Sequence, residues 1–126
     1  MRFMMIYKPE DTAAAESGAP PTEDEIARMG AFIEELAREG VLQLTDGLQP
    51  SAKGARVRRT KGEVTVTDGP FTESKELIAG FAIVDVRSKE HAIDLARRFL
   101  AVAGDGESEV RLMYDQPAFD AQAAAH

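Results

Sequence analysis

Asp68 is the side chain best placed to do chemistry. It ends an alternating run, Glu63-Val64-Thr65-Val66-Thr67-Asp68, and alternation puts it on the face that carries Val64 and Val66. If those valines face the core, the carboxylate points inward at the end of a strand. Apolar walls around a carboxylate are what tune it for proton transfer, so Asp68 is the candidate catalytic residue, as a general acid or base. Lys75 or Glu76 would answer it across a cleft. Tyr7, at the end of an apolar N-terminal run, and Phe71 would supply aromatic walls. Tyr7, Asp68, Phe71 and Lys75 therefore form the candidate ligand-binding set. A plainer reading of the same residues stays open. Asp68-Gly69-Pro70 is turn chemistry, with the aspartate building an Asx-type turn, the glycine taking an unusual backbone angle and the proline stiffening it.

Other residue types offer less. With no cysteine in the chain, disulfides, thiol nucleophiles and cysteine-held metals are excluded. His91 and His126 are the only histidines, and nothing in sequence pairs with His91, which reads as a helix-surface residue. The acids follow no zinc or calcium ligand pattern, and Ser17 and Ser74 lack a nucleophile-elbow context, so no cofactor or metal is expected. Lys53, Arg56, Arg58, Arg59 and Lys61 are the one basic cluster. They would hold an anion, touch a partner, or form a charged strand edge that discourages unwanted pairing. The acids between residues 10 and 25 read as a solvated loop and helix start, where negative charge suits the helix dipole.

These residues need a scaffold, and 126 residues suffice for one domain with its own core. The charge of -7, from 22 acids and 15 bases, disfavours nucleic acid and anionic membranes as partners. No apolar stretch is long enough to span a bilayer, and the N-terminal run stops at Lys8-Pro9-Glu10, so a cytoplasmic location is expected.

Residues 2–8 are apolar at nearly every position and predict a strand, with Phe3, Met5 and Tyr7 on one face and Met4 and Ile6 on the other. Residues 9–21 read as a loop. Thr22 to Glu25 reads as a capping box opening a helix whose inward stripe is Ile26, Met29, Ile33, Leu36 and Ala37, ended by Gly40. A strand from Val41 to Leu44 follows. Arg56–Thr60 and Glu63–Asp68, joined around Lys61-Gly62, predict a β-hairpin. Ile78–Val86 reads as a central strand. Ser88 caps a second long helix with Ile93, Ala96, Phe99 and Leu100 inward, ended by Gly104. Val110–Tyr114 forms the last strand. A domain over 1–115 and a frayed tail over 116–126 complete the reading.

The order β-α-β-(β-β)-β-α-β is that of an α+β, ferredoxin-like β-α-β-β-α-β fold with an extra β-hairpin. Two helices cover only one face of such a sheet, yet two strands are apolar on both faces. The uncovered face calls for a homodimer, sheet against sheet.

Asp68-Gly69-Pro70-Phe71, followed by Glu73, Lys75-Glu76 and Gly80-Phe81, resembles the DGPF-domain branch of the YCII-related family. The likeness runs from Met4-Met5-Ile6-Tyr7 to Val110-Arg111-Leu112. It implies a dimeric α/β barrel in which two ferredoxin-like sheets face each other. The better-studied YCII branch carries a histidine–aspartate pair in its cleft. On the first helix, where that branch has its histidine, this chain offers acids such as Asp24 and Glu25. The DGPF branch is often encoded beside extracytoplasmic-function sigma factors. Two functions follow as expectations: a small-molecule site near Asp68, with or without acid–base chemistry, or a non-catalytic regulatory protein linked to a sigma factor.

Overall fold

The N-terminal run forms the strand around which the sheet is built. The structure, a computed structural model, describes residues 1–71 and 77–115. In chain order the elements are β1 (Arg2–Pro9), α1 (Thr12–Glu16), α2 (Glu23–Glu39), β2 (Leu42–Gly47), a 3-10 turn (Ser51–Lys53), β3 (Ala55–Thr60), β4 (Glu63–Asp68), β5 (Gly80–Asp85), α3 (Lys89–Ala103) and β6 (Gly106–Leu112). Four strands make one antiparallel sheet in the order β2-β5-β1-β6, and β3 and β4 make a separate two-stranded sheet. This is the expected ferredoxin-like arrangement, with β1 and β5 both central. Ser74, Lys75 and Glu76 and the tail over 116–126 lie outside the described residues.

The helix ends follow their caps. Glu25 N–H donates to Thr22 Oγ1 at 3.1 Å, and the Thr22 hydroxyl donates to the Glu25 carboxylate at 3.2 Å. The predicted box thus closes, but through the hydroxyl rather than the Thr22 backbone. Gly40 ends α2 at φ 74, a left-handed angle that favours glycine, and its N–H reaches Ala37 O and Leu36 O. Ser88 Oγ accepts from His91 N–H at 3.1 Å and starts α3.

Several boundaries differ from expectation: β2 runs three residues further, to Gly47, β5 starts two residues later, at Gly80, and two differences are larger. Residues 12–16 are helical rather than loop, because Asp11 caps them by accepting from Ala14 N–H at 3.0 Å. The last strand begins at Gly106, before its apolar residues. Glu107 and Glu109 lie opposite Lys8 and Ile6, and Lys8 Nζ meets Glu109 Oε1 at 3.0 Å. A polar edge strand of this kind shows no apolar run.

The core lies between the sheet and the two long helices. Its buried members are Phe3, Met5, Val84 and Val86 from the sheet side, Phe32, Leu36 and Val41 from α2 and its exit, and Ala92, Leu95 and Ala96 from α3. The inward stripes are therefore rotated from those expected. On α2, Leu36 is buried and Met29 packs on the core, but Phe32 is the other buried residue and Ile26 is 58% exposed. On α3, Ala96 and Phe99 face inward as expected, and Leu95 and Ala92 replace Ile93 and Leu100 as the buried residues.

Outside the core, Arg98 ties the helices together. Its guanidinium donates to Glu39 Oε2 at 2.6 Å and Oε1 at 3.0 Å, and to Glu35 Oε1 at 3.0 Å. The hydrogen bond from Arg98, then its charge, hold the Glu39 carboxyl below its ordinary value. A carboxylate whose pKa is lower in the folded than in the unfolded chain contributes stability above the unfolded value and loses it as pH falls through the folded one. Arg98→Met should lower the urea midpoint at neutral pH, and the gap to wild type should narrow only as pH falls through and below the ordinary carboxylate range. Parallel midpoint-versus-pH curves would rule this pair out as the source. The effect is modest, because the groups are part-exposed.

Candidate functional site

The core face of the sheet tapers. At one end the row of side chains across β2, β5, β1 and β6 is Leu42, Val84, Phe3 and Leu112; the next is Thr45, Ala82, Met5 and Val110. At the far end it is Gly47, Gly80, Tyr7 and Ser108. Large side chains fill the space under the helices at the first end. Two glycines and a serine leave it open at the last, and the result is a cleft of about 830 Å³ between the sheet, α2 and α3. Such a volume suits a small organic molecule.

Most of the lining is apolar: Met5, Ala82, Met29, Phe32, Ile33, Phe99 and Val102. Tyr7 meets Phe99 edge-to-face, with centroids 5.1 Å apart at 78°. The polar groups gather around the glycine row. The Tyr7 hydroxyl donates to Asp105 O at 3.3 Å. Burial, then the nearby Asp105 charge, push its pKa up, so it stays a hydrogen-bond donor across the physiological range. Thr45 Oγ1 donates to Phe81 O at 3.1 Å, and Asp46 Oδ1 accepts from Gly47 N–H at 3.0 Å. Ser108 Oγ is buried and has no hydrogen-bond partner among the described residues. A buried hydroxyl without a partner is unusual, and here it lines a cleft.

Tyr7 is thus the expected site residue that lines this cleft. Asp68 and Phe71 sit elsewhere, at the base of the β3–β4 hairpin, and Lys75 lies outside the described residues. The inward direction expected for Asp68 is not what the chain shows. Val64 and Val66 are 60% and 65% exposed, and Asp68 is exposed with them. Alternation correctly puts the three on one face, but that face belongs to a hairpin outside the main sheet.

The Asp68-Gly69-Pro70-Phe71 stretch instead fastens the hairpin to the body. Gly69 N–H donates to Gly54 O at 3.0 Å, and Phe71 N–H donates to Ser51 Oγ at 2.9 Å. Ser51 is gripped in turn by the Glu16 carboxylate, which accepts from its N–H at 2.6 Å and from its hydroxyl. The Arg56 guanidinium lies 4.1 Å over the Phe71 ring. The Gly69–Pro70 peptide is cis.

Gly47, Gly80 and Ser108 are not among the site residues expected from the sequence, although Gly80 stands in the Gly80-Phe81 motif. A glycine inside an apolar strand was the available signal, since it marks a place where something comes close to the backbone. His91, expected on the helix surface, is half-buried, and its Nδ1 has no partner among the described residues. Among the described residues no three His, Asp or Glu side chains cluster as metal ligands, and no described helix is long and apolar enough to cross a membrane.

Comparison with known proteins places this architecture. The chain is 33% identical over 111 residues to Uncharacterized protein R00369 of Rhizobium meliloti (strain 1021), a match covering 86% of this chain and 87% of that one. A family model described as the YCII-related domain matches residues 1–119, which takes in every strand and helix that builds the cleft. The chain therefore belongs to the YCII-related family.

Proposed function

We propose that the protein binds a small, mostly apolar molecule carrying a hydrogen-bonding group, in the cleft under α2 and α3, and that it does so as a homodimer. The observation that carries the first part is the glycine row. It opens an apolar cleft at one end of an otherwise filled core and puts the partnerless Ser108 hydroxyl in its lining. A ligand group that donates to or accepts from that hydroxyl would satisfy it, while the apolar body packs on Phe99 and Met29. This reading anchors the ligand on Tyr7 and Ser108 rather than on Asp68.

The dimer is supported by the other face of the sheet. Both long helices pack on the core side, and Met4, Ile6, Phe81 and Ile83 alternate onto the opposite one, with Leu44 50% exposed beside them. An apolar sheet face of this kind is normally covered.

Nile red, a neutral dye that brightens in apolar surroundings, tests the cleft. Ala82→Leu, on its floor, and Gly47→Leu, where an added Cβ meets only Ala79 O at 4.0 Å, should each fill it. Both variants should fold and lose most of the dye signal. Fluorescence equal to wild type in both would remove the cleft as the binding site.

A further inference from the structure

We propose that the β3–β4 hairpin is an arm that docks on a second copy of this chain, with its valine side on apolar surface and its cations on carboxylates. The inference rests on the dimer reading above and adds to it the element that makes the grip.

Three observations carry it. First, every residue of β3 and β4 is exposed, although one side of the hairpin is built for burial. Val57 lies opposite Val66, and Val64 is on the same side, flanked by Arg59 and Asp68; Val57, Val66 and Val64 are 69%, 65% and 60% exposed respectively. A hairpin whose purpose was to block strand pairing would need its charges but not this valine patch.

Second, charge is segregated. Residues 53–68 hold five cations and two carboxylates, a charge of +3, and the rest of the chain holds 10 cations and 20 carboxylates, a charge of -10. Among the described residues none of the five cations forms an ion pair, and Arg56 alone is engaged, on Phe71. A second copy offers both complements at once, an acidic surface and an apolar sheet face. Two-fold symmetry lets each arm make the same contact on the other.

Third, the arm is held rigidly enough to dock. Its tip is a two-residue turn with Lys61 at φ 52 and Gly62 at φ 83, both left-handed, which matches the twist of paired strands. Its base is fixed by the Gly69–Gly54 and Phe71–Ser51 hydrogen bonds. Presenting an ordered arm avoids much of the entropy lost on association.

Sedimentation equilibrium of the full chain tests this with two double variants, Val57→Ser with Val66→Ser, and Arg58→Glu with Lys61→Glu. All four positions are exposed, and circular dichroism together with Nile red binding reports whether the body still folds. Wild type should be a dimer that weakens as salt rises, and each variant should weaken it on the order of tenfold or more. A wild-type dimer that neither variant weakens overturns the arm and leaves the dimer standing. A monomeric wild type overturns both. Binding of a short DNA duplex at low salt, lost in Arg58→Glu with Lys61→Glu, would assign the arm to nucleic acid and overturn it as a dimer contact.

Discussion

Leu95→Ala should cost about 2–5 kcal/mol of folding stability and lower the melting temperature by roughly 10–20 °C. Among the described residues, Leu95 and Val84 are the two largest side chains fully enclosed by the fold. Leu95 projects from α3 into the core built by the sheet and α2, so truncation leaves a cavity bounded by three elements. Neighbours fixed in a sheet and two helices cannot collapse fully into such a space, which puts the loss well above the transfer free energy of the missing methyl groups. Against a typical total of about 5–15 kcal/mol the fraction is large. Ile93→Ala is the internal control. Ile93 is only part-buried on the flank of the same helix, and its loss should be less than half as large. The check is thermal and urea unfolding of the two variants together. Equal losses would mean that α3 presents a different face to the core.

That control matters because the sequence alone favoured Ile93. Between Ala92 and Ala103, α3 is apolar at nine of twelve positions, interrupted only by Asp94, Arg97 and Arg98. A 3.6-residue period shows that such a segment is a helix, but several phases fit it equally well. What selects Ala92, Leu95 and Ala96 is tertiary packing: they are the α3 residues buried in one core with Phe3, Met5, Val84 and Val86 of the sheet side. On α2 the same ambiguity hid Phe32. Element order was legible because caps and turns are local chemistry: Thr22, Gly40, Ser88 and the Lys61-Gly62 tip each did what its type dictates. The cleft was less legible. Its defining feature is a row across four strands far apart in sequence, and only pairing brings Gly47, Gly80, Tyr7 and Ser108 side by side. Tyr7 was found because an aromatic at the end of a buried strand invites attention, whereas a serine among glutamates in an edge strand does not. Asp68 drew attention for a sound reason, its face shared with two valines. Alternation cannot say whether that face meets a core, water or another subunit.

Gly69→Ala should be the most damaging single change in the hairpin region, costing about 2–4 kcal/mol. A Cβ at Gly69 would overlap the Ser51 carbonyl oxygen and stand 2.5 Å from its carbonyl carbon and 3.1 Å from Ala52 N. All three are backbone atoms, so no side-chain rotation relieves the clash. The Ser51–Lys53 turn has little freedom to retreat. Its Gly54 N–H donates to Ser51 O at 2.9 Å, Lys53 N–H donates to Pro50 O at 2.9 Å, and Glu16 clamps Ser51 from the other side. If the turn moves, the Gly69–Gly54 and Phe71–Ser51 bonds that fix the hairpin go with it. The damage should therefore show as faster amide exchange across β3 and β4 before the main sheet is affected. Asp68→Asn tests the neighbouring residue on the same grounds. An exposed side chain replaced by its isostere should change stability by less than about 0.5 kcal/mol. If Asp68→Asn leaves stability alone while removing ligand binding or turnover, chemistry returns to the hairpin base. If it leaves both alone while Gly69→Ala loosens the hairpin, the motif serves the close approach of two chain segments at Gly69.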